Sequence, residues 1–563
     1  MQNRDEKIEI TLFALALAAA ILLRFLSLGA NALTDVEASQ ALQAFHLSQG
    51  NLVVVGGQPG YVSLTTPLFY IFSASNFWAR FWPAVFGCLL VLLPLLFKPW
   101  IGKRAALLLA FVLTFEPGLT AISRTAGSEM MAITCTLAAL GFFLRRKPIL
   151  AGVSTGLALL AGAPVWLGVG TLALSLFLFK WVVKQGVVEL EKDAQPFWLP
   201  ALIAAGATLL GIGTVFGTHP LILSGLGSGL ADFFAGFATR TGVSIGIMLL
   251  GLLLTQILTI PLAIYGIAAG PEEKNKLSIL MLFWLVLLFV FTLLPFARQV
   301  VNWVWFVMPL SVLAVIGLEG LMNKVEKDQW KLTLLEIGAV VALLVYSYLN
   351  LISLVNAPSA DSVTLRNQVL AVVLPLAMIL VVTLLVGWGW SFVAARQGLI
   401  AGVLILLGFV TLGNTWKAAG LGPRPEAELW RTGANPTGAN AMVASVEDLS
   451  LYTHGLVDAI DIKLVGQPAP ALQWALREFS ALQTDSVISN SDTSSVLISD
   501  SDLSQNLNGL FRGQAILWDS QIDFSQMDGF DWIKWFDMRD VPLTHKTLLL
   551  WARNDLFKGA PQN

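Results

Sequence analysis

Apolar residues fall along this chain in blocks of about 20, separated by short polar or basic stretches. Thirteen blocks can be placed, at about 8–28, 77–97, 104–122, 127–144, 148–163, 165–183, 197–217, 243–269, 277–296, 299–322, 332–355, 366–387 and 398–416. A run of about 20 residues crosses a hydrocarbon core as helix, and lipid offers the backbone no other hydrogen-bond partner. Only Gly162, Ala163 and Pro164 separate the fifth block from the sixth. After Trp416 the pattern changes. Residues 418–563 are polar and turn-rich, with stretches such as SNSDTSS and SDSDLSQN. Within them SSVLISD and GQAILWD read as strands, and NAMVASVEDLSLY as an amphipathic helix.

Lys and Arg in the short loops give the orientation. Arg4 and Lys7; Lys98, Lys103 and Arg104; Arg145, Arg146 and Lys147; Lys184 and Lys192; Lys274 and Lys276; and Lys324, Lys327 and Lys331 all fall on one side, expected to be the cytoplasm. The segment from Gly29 to Asn76, on the other side, contains no Lys or Arg. An odd number of spans puts the C-terminal region outside too, and losing one hairpin at 148–183 changes no later loop's side. The expected architecture is an α-helical polytopic membrane domain over 1–417, with outer loops at 29–76 and 218–242, and an extracytoplasmic soluble α/β domain over 418–563.

Composition agrees with this pattern. The 563 residues are 56% hydrophobic and 12% charged, against about 25% charged in an average soluble domain. The net charge of -2 says nothing about nucleic acid; where the charges sit matters more, and no nucleic-acid partner is expected. Cys88 and Cys135 both lie inside apolar blocks, so neither a disulfide nor a cysteine metal site is expected. His46, His219, His454 and His545 match no zinc spacing. No small-residue cleavage site follows the first block, which reads as a retained span.

The outer loops carry the candidate chemistry. Asp35 and Glu37 open the first, with no local basic residue to neutralise them. A carboxylate against an apolar wall has a raised pKa, which suits a general base. The same residues also read as a helix N-cap and a first-turn acid ahead of Ala38 to Leu47, and both readings stand. Arg24, Arg80, Arg124, Arg240 and Arg298 lie near the outer ends of spans. Each either snorkels to headgroups or binds an anion such as a lipid-linked phosphate. Glu129 reads as a partner of Arg124 or Arg240, or as a second acid at the site. Glu116, just before Pro117, is costly to bury and has no assigned role.

These residues resemble the membrane-embedded GT-C glycosyltransferases, most closely the protein O-mannosyltransferase-like and aminoarabinose transferase-like (family 39-like) bacterial branch. ILLRFLSLGANALTDVEASQALQA is similar to that family's opening, with an Arg closing the first helix and an acidic pair in the next loop. TTPLFYIFSASNFWARFWPAVFG is similar to its Pro-Leu-Tyr segment and Arg-x-x-Pro, here Pro67, Leu68, Tyr70, Arg80 and Pro83. TAISRTAGSEMMAI resembles its Ser-Arg segment. FARQVVNWVWFVMPLSVLAVIGLEGL is similar to its late Arg-Tyr-Leu-Leu-Pro helix, with Arg298 and Pro309 matching. The likeness covers about 1–320; later spans match in hydropathy, and ALQWALREF is similar to a Trp-x-Leu-Arg motif of some bacterial relatives. The family's acids are adjacent, whereas Val36 separates them here, and residues two apart on a helix point apart.

The resemblance implies an inverting glycosyl transfer from a polyprenyl-phosphate sugar to a lipid, glycan or protein acceptor at the outer face of the plasma membrane. It implies Asp35 and Glu37 as the catalytic acids, with Asp35 favoured as base. Arg80, Arg124 and Arg298 are implied for the phosphate, with Glu129, Tyr70 and His219 at the site and Asp232 near it. Phe69, Tyr70, Trp78, Trp303 and Trp305 would stack on sugar or prenyl tail, or form an interfacial belt. No cofactor is required by the sequence; a divalent cation is left open. The competing reading is a non-catalytic or flippase-associated binder or transporter of lipid-linked sugars.

Overall fold

The computed structural model describes residues 2–183, 197–239, 242–295, 298–323, 329–356, 361–431, 433–466, 468–485, 494–500, 507 and 510–557. Lys184, Lys192, Arg240, Lys324 and Lys327 lie outside these, as do 486–493 and 501–506 of the serine-rich stretches. A helix occupies every one of the thirteen apolar blocks. Among the described residues, however, eight helices are long and apolar enough to cross a membrane, or nine with the bent pair Ile245–Thr255 and Thr259–Ala269. Glu129–Leu144, Pro148–Leu160 and Trp198–Gly211 are apolar but short. Thirteen crossings are therefore not confirmed.

Local chemistry explains the interruptions. The block 104–122 splits into Lys103–Phe115 and Pro117–Ile122. Proline disfavours helical backbone in the residue before it, and Glu116 is extended, with φ -75 and ψ 123. Its carboxylate then caps the second piece by accepting from the Leu119 N–H. The bent pair turns by 80° around Gln256, whose side-chain N–H₂ donates to Glu116. The two breaks thus face each other, and Glu116 is an N-cap held by a glutamine.

Trp303–Asn323 is buried along nearly its whole length and is the axis of the bundle. Its Gly317 lies so close to the Thr259–Ala269 helix that an added Cβ would strike the Leu262 carbonyl, the small-residue packing by which helices associate in lipid. Ser362–Gly389 exposes most of its Leu and Val to the outside, while Trp330–Asn356 and Phe392–Trp416 leave most of their Leu, Val and Ile half-buried. At one end of the bundle, Lys98 pairs with Glu9. There too Arg145 donates to the carbonyls of Leu95 and Leu96 at 2.7 and 2.8 Å.

At the opposite end the Gly29 to Asn76 segment folds into two helices, Asp35–Ser48 and Pro59–Phe72, and carries the C-terminal domain. That domain is a five-stranded mixed sheet. Its strands are β1 (Ile462–Val465), β2 (Leu482–Asp485), β3 (Val496–Ser499), β4 (Phe511–Ile522) and β5 (Leu543–Arg553), ordered β2-β1-β3-β5-β4. β1 runs parallel to β2 and β3, while β5 is antiparallel to β3 and β4. Both expected strands are present as β3 and β4, and the expected helix is Ala439–His454.

The WALR stretch of the sequence forms the dock. Trp474 is buried against Phe45 and Phe69, and its indole N–H donates to Asn76 Oδ1 at 2.8 Å. Arg477 stacks over Trp474 and donates to the Ala74 carbonyl. The short helix Pro470–Ala475 has no cap of its own. The Ala471 N–H instead donates to Asp35 Oδ1 at 3.0 Å, across 436 residues of chain.

Candidate active site

The two outer acids part company. Thr34, not Asp35, is the N-cap of Asp35–Ser48, and Glu37 at the third position completes a capping box. The Glu37 N–H donates to Thr34 Oγ1 at 3.4 Å and the Thr34 N–H to Glu37 Oε2 at 3.0 Å. That geometry turns Glu37 into the protein, where it is 3% exposed, and turns Asp35 toward the C-terminal domain.

Glu37 meets Arg80, on Asn76–Leu92 and 2% exposed. Arg80 Nε and Nη2 donate to Glu37 Oε1 and Oε2 at 2.7 and 2.9 Å, a bidentate pair. The other Arg80 protons go to the carbonyls of Leu28, Asn31 and Ala32 at 3.3, 2.7 and 3.0 Å. All five donors of the guanidinium are therefore used. Glu37 also accepts from the Ala126 N–H at 2.9 Å, which fills its acceptor sites. Burial pushes the Glu37 carboxyl up, but Arg80 and the N–H groups of Thr34 and Ala126 outweigh it and hold it below the ordinary carboxylate value of 4.5.

The other described outer arginines, Arg24, Arg124 and Arg298, follow one rule: they cap helix ends. An α-helix leaves its last carbonyls unpaired, with partial negative charge. Arg124 donates to Leu23 and Arg24 carbonyls at 3.0 Å and to Ser27 at 3.4 Å, closing the first helix, Gln2–Phe25. Fully buried Arg24 donates to Leu113 and Thr114, where the helix broken at Glu116 ends. Arg298 donates to Leu293 and Pro295, ending Asn275–Leu293, and to Val243. None of Arg24, Arg80 and Arg124 snorkels outward; all three are buried.

The remaining candidates scatter. Glu129 does not pair with Arg124, and Arg240 lies outside the described residues; the Glu129 Oε1 accepts from Gln58 Nε2 at 3.3 Å. Tyr70 is 79% exposed, turned away from Glu37. His219 Nδ1 contacts the hydroxyl of its neighbour Thr218, and Asp232 lies against Gly57. Trp303 and Trp305 are buried core residues, the latter donating to the Pro164 carbonyl. Phe69 packs on Trp474 and Trp78 stacks on Phe72. Asp35 and Glu37 engage different partners. Among the described residues, no group of three or more His, Cys, Asp or Glu is placed to hold a metal ion.

A cavity of about 270 Å³ opens where bundle and C-terminal domain meet. Val36 and Arg298 form its bundle wall, and Glu426, Glu428, Arg431 and Asn435 the opposite one. A second cavity of about 180 Å³ shares Glu426, Arg431 and Asn435 with the first and extends beside Asn31 and Thr437. Glu428 is already held by Arg539, a second fully buried ion pair at 3.0 Å. Sequence reasoning singled out neither Arg431 nor this pair.

Residues 46–216 match the family described as dolichyl-phosphate-mannose-protein mannosyltransferase. The structure of ArnT from Cupriavidus metallidurans bound to undecaprenyl phosphate superposes with a TM-score of 0.56 at 13% identity, covering 98% of this chain and 99% of that one. The same ArnT in the apo state gives 0.55 at 15% identity, with the same coverage. This chain has the GT-C glycosyltransferase fold. With its apolar helices, the GT-C fold makes it a multi-pass membrane protein. The stretch matching the mannosyltransferases contains Tyr70, Arg80, Arg124 and Glu129; Asp35, Glu37, His219 and Arg298 fall outside it. No curated protein sequence matches the chain.

Proposed function

We propose that this protein transfers a sugar from a polyprenyl-phosphate donor to an acceptor at the outer face of the plasma membrane, with inversion at the anomeric carbon. The observation that carries the reading is end-to-end likeness to a fold whose ArnT example was solved with undecaprenyl phosphate bound, together with an arginine-lined cavity at the end of the bundle that carries the C-terminal domain. In this reading that domain is extracytoplasmic. The acceptor hydroxyl attacks the anomeric carbon, the bond from that carbon to the phosphate oxygen breaks, and the lipid phosphate leaves as an anion. Asp35 takes the hydroxyl proton. Glu37 is saturated by Arg80 and two backbone N–H groups, whereas Asp35 is half-buried, spends one described bond on Ala471 and adjoins Val36 on the cavity wall. Glu37 and Arg80 then hold the loop that presents Asp35. Arg298 spends Nε and Nη1 on carbonyls, and its Nη2, which makes no hydrogen bond among the described residues, faces the departing phosphate, where fixed positive charge favours the transition state; no step is routed through a metal.

The test is turnover of a panel of undecaprenyl-phosphate hexoses and pentoses by the full chain in proteoliposomes, read as release of undecaprenyl phosphate. Wild type is expected to turn over at least one donor, and Asp35→Asn to slow it by about 100-fold or more, the scale of lost general-base catalysis. A second reading, a binder of lipid-linked sugars without transfer, is favoured by the engagement of both acids in structural contacts. Wild type that binds donors and releases nothing supports that reading.

A further inference from the structure

We infer that Arg431, contributed by the segment that leads into the C-terminal domain, is an anion-binding residue, and that the cavity between it and Arg298 takes the phosphate of a lipid-linked sugar. This deepens the transferase reading and rests on it for the lipid; the anion site itself rests on geometry.

Four observations converge. First, the fully buried arginines at this rim are occupied by helix-end carbonyls, by Glu37 or by Glu428, whereas Arg431 is half-buried. Among the described residues, the Arg431 side chain makes no hydrogen bond or ion pair. Second, Arg431 lines both junction cavities. Third, the backbone makes room for it. The last span runs into a short π-turn, Lys417–Leu421, in which Gly420 adopts φ +70. A Cβ at Gly420 would collide with Arg431 Nη2. Both the left-handed conformation and the missing side chain call for glycine there. Fourth, the surrounding charge is in excess. Burial and then Arg80 pull Arg431 down to about 10, against the opposing carboxylates of Glu37, Glu428 and Glu426. Burial, Arg431 and Arg80 likewise pull Arg124 down to about 9. Glu37 and Glu428 are already committed to Arg80 and Arg539.

A half-buried guanidinium without a protein partner is suited to an anion, and phosphate matches its planar fork. Glu426 and Asn435 also line this cavity and supply an acceptor and an amide, and Leu429 and Val300 add apolar lining. The combination suits a phosphate ester that carries both hydroxyls and a hydrocarbon chain better than a free phosphate.

The test is binding of undecaprenyl phosphate and, separately, of inorganic phosphate to the purified full chain in detergent, for wild type, Arg431→Gln, Arg431→Lys and Arg298→Gln. Expected is wild-type binding of undecaprenyl phosphate, about tenfold or more weaker in Arg431→Gln, the scale of a lost charge-assisted contact, and largely kept in Arg431→Lys. Wild type that binds inorganic phosphate through Arg431 but ignores undecaprenyl phosphate upholds the anion site and sinks the lipid-linked donor. Binding of undecaprenyl phosphate unchanged in Arg431→Gln and Arg298→Gln overturns the site while leaving the transferase reading intact. Binding of neither ligand overturns both. Should Arg431→Gln fail to fold, phenylglyoxal modification of wild type decides: protection of Arg431 by undecaprenyl phosphate supports the assignment, and equal modification with and without it refutes it.

Discussion

Arg80 and Arg431 stand at the same rim of the bundle, close enough for their charges to repel, yet their surroundings are opposite. Arg80 has five hydrogen bonds, two of them to Glu37. Arg431 borders two cavities and has no described partner. A guanidinium buried with every proton satisfied is part of the scaffold; one half-buried beside open space, with no protein partner, is free to take a ligand. The contrast shows why an arginine at a membrane edge is a poor guide to substrate until its carbonyl neighbours are known. A helix that ends there offers orphan carbonyls, and arginine satisfies them as readily as it satisfies phosphate.

The contrast can be broken most forcefully at Glu37. Replacing Glu37 or Arg80 singly by alanine leaves a buried charge uncompensated and is expected to cost about 3–5 kcal/mol, read as a large drop in the thermal unfolding midpoint in detergent. The double substitution should cost clearly less than the sum of the singles; additive losses would show that the pair is not coupled. Acid offers a milder route to the same end. The native Glu37 value lies below 4.5, so the stability it adds is complete above pH 4.5 and is lost as pH falls through that lower value. Wild type should therefore lose its advantage over Glu37→Gln as a melt series is taken down from pH 5. A constant gap across the series would contradict the pairing. Thr34→Ala removes one half of the capping box and is expected to cost about 1 kcal/mol. The smallest effect belongs to Arg431→Gln, which without ligand should stay within about 0.5 kcal/mol of wild type or gain slightly. A loss there as large as that of Arg80→Ala would erase the distinction between the two arginines.

Much of the scaffold was legible in the sequence because it is written in local pattern. Apolar blocks place every bundle helix, and SSVLISD and GQAILWD place β3 and β4. The number of crossings was less legible, since hydropathy counts apolar residues and is blind to direction. The signal at 104–122 was nevertheless present in Glu116-Pro117, a pairing that stops one helix and caps the next. Glu37 and Arg80 were both singled out, but 43 residues separate them and their attachment to each other has no periodic signature. Val36 between two acids did foretell that they would diverge. Arg431 was missed because a single arginine in a polar linker looks solvated. The turn at Gly420 that seats it becomes meaningful once residues far apart in the chain are brought together.

The bond from Ala471 to Asp35 has a temporal side. A ribosome delivers the first outer helix early, and the backbone that completes it is made 436 residues later. Throughout that interval Asp35, Asn76 and the faces of Phe45 and Phe69 stand without the partners they have in the finished molecule. Growth of the chain and closure of its outer rim are therefore separate events. The last stretch translated acts as the keystone, and an accessory protein that shields the early segment would have to leave before Trp474 can enter.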